Sequence, residues 1–440
     1  MQTAPAYSTK TEVIAGITTF LTMAYIVFVQ PAVLSTDFTG KPTGLDFGAV
    51  LLATCVVSGA ATILMGVWAK YPIALAPGMG ENFFFVSVIM TLAAAGVAEP
   101  WRAALGIVLI SGIIFLILSV IGVREAVLDS ISPSMRSAIA AGIGVFVAFI
   151  GLRNGGLIVP HPGTLVTLNP NVVSADVGVF AAGLIAAAVF HIRGVRGAIL
   201  IGIAVATVLA AALGKIQYAG VLGTPQIVTP AAFRFDLATA LSPRWLPFIA
   251  VFLFMNVFDT IGSVIGVTQQ AGLIRDGKLP RAERVLVVDA AGTVLGAALG
   301  TSTIVTYIES AAGVSVGGRT GLTAIVAGSL FFVALVFSPL IGMIGNYLPI
   351  TAPALIIVGA MMMSNASRID WDDASESVPA FLTMVGIPLA YSIADGLALG
   401  FISYPILKML TGKGRQIGMM SYAIAALLVF YFVFVRAGLA

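Results

Sequence analysis

The sequence predicts an all-α integral membrane protein made of two seven-helix units that enter the membrane from opposite sides. Composition is the first observation behind this. Hydrophobic residues are 59% of the 440-residue chain and charged residues 9%, with a mean hydropathy of +1.07. A soluble protein carries about a quarter charged residues, so no sizeable water-facing domain fits. The second observation is the set of apolar runs, which falls into seven and seven with one left over. The third is a polar interruption that occurs twice. Ser58–Gly80 reads SGAATILMGVWAKYPIALAPGMG and Asp289–Ser310 reads DAAGTVLGAALGTSTIVTYIES. Laid side by side without a gap, Thr62 meets Thr293, Leu64 meets Leu295, Pro72 meets Thr303 and Ile73 meets Ile304. Each copy passes from an apolar helix-like run through a few β-permissive residues to a Gly- or Ser-containing restart. Short strands are therefore expected at the broken third and tenth segments. Interrupted segments at corresponding positions of a duplicated membrane unit mark the binding site of a carrier.

Val13–Leu34 begins after Lys10 and Glu12 and leads into further runs of the same kind. It is a spanning helix and not a cleaved leader. A helix needs about 20 apolar residues to cross a bilayer, somewhat fewer where it ends against protein. The first unit continues with Phe47–Trp68, Met79–Ala95, Ala103–Val123, Ser137–Leu152, Val177–His191 and Gly197–Leu213. The second runs through Trp245–Val267, Val285–Leu299, Thr306–Val316, Thr320–Phe337, Ala352–Met363, Val378–Ser392 and Leu397–Leu410. Pro133-Ser-Met-Arg opens a short Gly/Ala-rich helix, as Pro349-Ile-Thr-Ala does in the second unit. Ile417–Phe434 is an extra C-terminal hydrophobic helix without a partner, and whether it spans is open. The units are thus 1–213 and 245–411, joined by an external linker over 214–244 and followed by 412–440.

Seven is odd, so the second unit is inverted. Lys and Arg collect on the cytoplasmic side. A cytoplasmic N-terminus places Lys10, Lys70, Arg124, Arg136, Arg193, Arg196, Arg275, Lys278, Arg281, Arg284, Arg319, Arg368, Lys408, Lys413 and Arg415 inside. Lys41, Arg102, Arg153, Lys215, Arg234 and Arg244 fall outside, so the count is fifteen against six. The formal charge of +3 is read through this topology and not as affinity for nucleic acid. The lone Cys55 admits no disulfide within the chain, and His161 and His191 are too few for a metal site.

Charges inside membrane spans are costly and default to a functional reading. Those expected here are Glu81, Asp259, Asp289 and Glu309, with Asn82, Asn256, Thr260, Thr303, Thr306 and Ser310 beside them. Asn256 and Asp259, three apart, share a helix face. Glu81-Asn82 and Glu309 lie just past the two breaks, where freed backbone amides at half-helix starts bind polar ligand atoms. A buried carboxylate also caps a broken helix, so Glu81 and Glu309 carry that plainer reading too. Asp289 is read as facing the Arg275–Arg284 stretch, either as a structural lock or in a transport role. Phe83–Phe85 are packing residues or a stacking platform. Asp370–Glu376 is the densest acidic run, and it would hold Mg²⁺ in an intramembrane enzyme. A solvated segment capping the next helix is the simpler account.

AGITTFLTMAYIVFVQP (Ala15–Pro31), APGMGENFFF (Ala76–Phe85), FMNVFDTIGSVIGV (Phe254–Val267) and GTSTIVTYIESAAGV (Gly300–Val314) carry a resemblance over nearly the whole chain. It resembles the AzgA-like purine permeases, a branch of the nucleobase–cation symporter-2 transporters. The resemblance implies fourteen helices divided between a core domain (13–123 and 245–338) and a gate domain (124–213 and 339–411), as in bacterial uracil permease. It implies proton-coupled uptake of hypoxanthine, guanine or adenine, with the proton as coupling ion and no other cofactor. By position, Glu309 resembles the family's substrate-binding Glu, Asn82 its polar residue in the third helix, and Asp259 the second Asp of its DxxDT pattern. Asn256 replaces the usual first Asp, and Glu81 a usual apolar residue.

The expectation is a purine:proton symporter of the inner membrane, multi-pass, with homodimer formation open. Its substrate residues are Glu309, Asn82, Asn256, Asp259, Glu81, Thr306, Ile308, Phe83 and Tyr25, and its proton carriers Asp259, Glu81 and Asp289. An anion transporter or channel of the same fold would want a basic residue at the breaks, and neither break contains one. An intramembrane enzyme would rest on Asp370–Glu376.

Overall fold

The computed structural model describes residues 8–121, 132–224, 230–274 and 279–436. Arg124, Arg275, Lys278 and the end of the Ala103–Val123 run lie outside the described residues. The first unit comprises α1 (Thr9–Met23), α2 (Ile26–Ser35), α3 (Phe47–Leu64), β1 (Leu75–Pro77), α4 (Met79–Ala94), α5 (Pro100–Ile121), α6 (Pro133–Asn154), α7 (Ala175–Ile192) and α8 (Ala198–Ala212). An exposed hairpin, β2 (Ile158–His161) with β3 (Leu165–Leu168), sits in the α6–α7 connection and was not foreseen. The second unit comprises α9 (Leu246–Gln270), α10 (Ala282–Leu299), β4 (Ile304–Thr306), α11 (Ser310–Ser315), α12 (Gly321–Ala334), α13 (Ser338–Gly345), α14 (Leu348–Met363), α15 (Ala374–Leu389) and α16 (Ile393–Leu410). Among the described residues, nine helical stretches are long and apolar enough to cross a membrane. Taken in order, α1–α2, α3, β1–α4, α5, α6, α7 and α8 make seven passes, and α9, α10, β4–α11, α12–α13, α14, α15 and α16 make seven more. The Thr306–Val316 run is shorter as a helix than expected, because Thr306 belongs to β4 and the helix begins only at Ser310.

Helix starts follow side-chain chemistry. Asp46, Ser132, Ser174, Asp373 and Ser392 each accept a backbone N–H from the first turn of α3, α6, α7, α15 and α16. Such caps satisfy donors that a helix cannot pair internally. Glu12 does the same at a distance. It is buried, and it takes the N–H groups of Arg319 (3.0 Å) and Thr320 (3.1 Å) before α12. Small residues let helices meet closely. A methyl group on Gly59 would lie 3.0 Å from the Gly328 carbonyl, and one on Gly328 would lie 2.8 Å from that of Gly59. This contact seats α3 on α12, and Gly144 with Gly359 seats α6 on α14 in the same way.

The last apolar run is helical as α17 (Met419–Phe430) and ends in a π-helical turn over Tyr431–Arg436. It packs along α16. Tyr431 donates to Asp395 at the start of α16 (2.8 Å) and packs on Phe248 at the start of α9. The helix thus runs back along the whole of α16.

The two breaks meet. β1 pairs with β4 antiparallel, Leu75 opposite Thr306, Ala76 opposite Val305 and Pro77 opposite Ile304. The pairing continues outward as Tyr307 N–H to the Ala74 carbonyl (2.9 Å) and Gly78 N–H to that of Thr303 (3.3 Å). Each strand is also clamped by a threonine of the preceding helix. The Thr62 hydroxyl donates to the Leu75 carbonyl (3.1 Å) and accepts its N–H (2.9 Å). Thr293 makes the same two bonds with Ile304 (2.9 and 3.2 Å). Thr62 and Thr293 are therefore equivalent, as the ungapped alignment has them. Beyond them it slips by two residues, because Ile304 corresponds to Leu75 and not to Ile73. The first copy needs the extra length for a π-helical turn, Met65–Ala69, and a left-handed Lys70 (φ 60°).

Removing the clamp strands two buried backbone groups, at a cost of about 1–3 kcal/mol. Thr293→Val should lower the melting temperature of the purified protein by several degrees, while Thr293→Ser, which keeps the hydroxyl, should restore most of the loss.

Candidate functional site

Glu309 follows β4 at the start of α11, and its Oε1 accepts the Tyr25 hydroxyl at 2.9 Å. Tyr25 is buried at the interruption between α1 and α2, so that break in the first span aims the phenol at the break in the tenth. Tyr307 ties the two breaks by donating to the Pro77 carbonyl (2.6 Å). Asp259 lies midway along α9 on an uncovered stripe that continues through Gly262 and Ile265. A methyl group on Gly262 would meet nothing within 4 Å, whereas one on Gly266 would lie 2.8 Å from Ile308 Cδ1. Ile308 is itself 42% exposed. Glu309 and Asp259 therefore share an opening on the side where α9 ends, and they lie within electrostatic reach of one another.

Glu81, in the first turn of α4, is buried. Its carboxyl group folds back on the break so closely that a methyl group on Gly78 would collide with its Oε2. Its charged neighbours are Asp259 and Asp289. The remaining expected residues stand one layer behind. Asn256 is fully buried and donates to the Thr293 hydroxyl (2.9 Å), bracing the clamp on β4. Asp289 accepts from Thr260 (2.7 Å), and Thr306 donates to the Thr260 carbonyl (3.2 Å). Asp289 does not face the basic stretch as expected. The described arginines there turn elsewhere, Arg281 over Tyr71 and Arg284 over Trp68. Asn82 is fully buried and accepts from Ser302, which also receives the Gln30 amide at 3.2 Å. Phe83 packs among Phe38 and Phe146.

Gln30, Tyr307 and Glu12 were missed. Gln30 and Tyr307 are uncharged residues inside apolar runs, and Glu12 precedes its run. Among the described residues, the ion pairs lie away from Glu81, Asp259, Asp289 and Glu309. Carboxyl groups without cationic partners suit a ligand that donates hydrogen bonds or carries positive charge, and they repel an anion.

The acidic run is taken up by lysines. Asp373 caps α15 and meets Lys413 at 2.8 Å, while Glu376 meets the buried Lys408 at 2.8 Å and accepts from Tyr404 at 3.0 Å. The Lys413 ammonium holds the Asp373 carboxyl below the ordinary carboxylate range, with help from Ser375. A carboxyl depressed on folding stabilises the native state above its unfolded pKa of about 4, and that contribution fades as pH falls through the folded value. Wild-type protein should therefore lose more thermal stability between pH 5 and pH 3 than Asp373→Asn, as read by melting temperature against pH.

Residues 10–399 match the family model described as the Permease family, Xan_ur_permease. The adenine permease AdeP of Escherichia coli is 42% identical over 429 residues, covering 97% of this chain and 94% of its own. The guanine/hypoxanthine permease PbuG of Bacillus subtilis is 42% identical over 436 residues, covering 98% and 97%. Among solved structures, the transmembrane domain of the cyanobacterial bicarbonate transporter BicA superposes with a TM-score of 0.65 at 15% identity, covering 89% of this chain and 97% of that one. That likeness concerns the fold alone.

Proposed function

The chain belongs to this permease family and is therefore a multi-pass membrane transporter and not an enzyme; from that premise we propose that it takes up purine nucleobases across the cell's inner membrane together with an inward-moving proton. One observation carries the reading at the level of residues. A carboxylate at a helix break, Glu309, is held by Tyr25 beside Asp259 in an opening without a paired cation. Relatives named for adenine and for guanine/hypoxanthine support purines as the substrate class. A purine presents ring N–H donors along one edge, and an ionised carboxylate is acceptor-only. Glu309 accepts from that edge, and the backbone amides past the break and the Ile308 side chain complete the contact. Glu81 borders the same space from α4. Asn256, Thr306 and Asn82 act by holding the strands.

Asp259 carries the coupled proton. It is the carboxyl group that both opens to the crevice and lies in reach of Glu309, so its charge is felt where the substrate binds. With residue 8 on the cytoplasmic side, the opening at the end of α9 faces inward. The core domain, α1–α5 with α9–α12, moves against the gate domain, α6–α8 with α14–α16, to expose the site on the other face.

Glu309→Gln should weaken purine binding about ten- to a hundredfold, since losing an acceptor to a charged hydrogen bond costs about 1.5–3 kcal/mol. Unchanged affinity by calorimetry on folded mutant protein would take Glu309 out of the site. Asp259→Asn should retain purine exchange across vesicles but no longer concentrate purine under a pH gradient. Accumulation at the wild-type level would place the coupling proton elsewhere, with Glu81 and Asp289 next to be tried.

A further inference from the structure

On the side where α9 begins, opposite the opening, an aromatic cage holds a ring of the chain's own. Phe38, in the connection between α2 and α3, stacks on Phe83 of α4 with centroids 6.2 Å apart and planes at 28°. It meets Phe146 of α6 edge-on at 5.7 Å and Tyr391, in the turn between α15 and α16, edge-on at 5.3 Å. Arg153 at the end of α6 donates to the Phe38 carbonyl and to the Tyr391 hydroxyl (2.8 Å). The cage is thus built from both packing groups. Phe38 and Phe83 come from one, and Phe146, Arg153 and Tyr391 from the other.

Tyr391 is a non-glycine residue in the left-handed region (φ 53°). Such strain persists where surrounding contacts over-determine it, and it gathers at functional sites. The connection that delivers Phe38 is a compact unit of its own. The Asp37 carboxylate gathers the Thr39 and Lys41 N–H groups (2.8 and 2.9 Å), and Thr36 bridges to Pro42. It can therefore withdraw as one piece. Phe38, Phe83 and Tyr391 border a cavity of about 380 Å³ whose rim carries Asn154, Asn346 and Thr351, a volume within the range of small-molecule sites. One stacked ring and two edge-on rings recognise a flat, uncharged ring by its quadrupole, and the Arg153 and Tyr391 donors above it suit ring nitrogens or carbonyls.

We propose that this cage is an outer subsite for the planar substrate, occupied here by the Phe38 ring, which a nucleobase replaces when the transporter loads from outside. The subsite rests on the purine reading but is separate from Glu309. Its floor, Phe83, lies two residues beyond Glu81, so the cage leads onto the back of the central site.

The test uses Asn346→Cys at the exposed rim, labelled from outside with a membrane-impermeant thiol reagent. Cys55 is buried and stays silent. The label is followed in the full-length protein carrying Phe38→Ala together with Glu309→Gln, which disables the central site. Hypoxanthine or adenine should still slow labelling at least threefold, and adding Phe146→Ala should abolish that protection. Protection that disappears with Glu309→Gln alone would overturn the outer subsite. If Phe38→Ala does not fold, Phe38→Leu leaves part of the slot free and is read by the same criterion. Calorimetry on wild-type protein separates the two claims. If no purine binds at all, the substrate reading fails, whereas purine binding without protection removes the cage alone.

Discussion

Two three-residue strands lie where the chain can least tolerate irregular backbone. Inside a bilayer no water is available to an exposed N–H or carbonyl, so a broken helix must find its partners within the protein. Here the partners are the other break and two threonines. β1 and β4 pair across the repeat axis, and Thr62 and Thr293 close the groups that the pairing leaves. Everything placed at the site hangs from this arrangement. Glu309 stands where it does because β4 ends at Thr306, and Glu81 because β1 ends at Pro77. Neither carboxyl group has a cationic partner among the described ion pairs, an arrangement that membrane proteins keep only where function requires it.

Much of this was legible in the chain. The apolar runs located the helices to within a few residues, since lipid demands length. The breaks were legible because Gly, Pro and β-permissive residues interrupt otherwise helical runs. The register between copies was not, because an ungapped comparison cannot see a π-helical turn that adds residues to one copy. Asn256 and Asp259 show the same limit at finer scale. Residues three apart on a helix differ by about 60° in direction, which suffices to turn Asp259 to the opening and Asn256 onto Thr293. Long-range partners were out of reach for the same reason. Nothing local in Glu12 announces the start of α12, more than 300 residues away.

The acidic run Asp370–Glu376 illustrates how burial changes the meaning of a motif. As a string of letters it resembles a divalent-cation site. In the fold, Lys408 and Lys413 supply its counter-charges, and the buried member, Lys408, is the one whose loss would leave Glu376 exposed to a low-dielectric surrounding. Such a pair fixes α15 and α16 to each other, and breaking it is costly even where its net contribution is small. The acidic residues at the breaks have no such partner, and the contrast between the two clusters separates structural charge from working charge.

Fourteen passes would return the polypeptide to the face from which it set out. The helix along α16 instead runs back from the end of that helix towards its start, carrying Tyr431 onto Asp395. An inverted duplication by itself leaves both ends under one set of conditions of redox, proteolysis and binding partners. A reporter joined behind this helix therefore reads out which face of the membrane the start of α16 lies against.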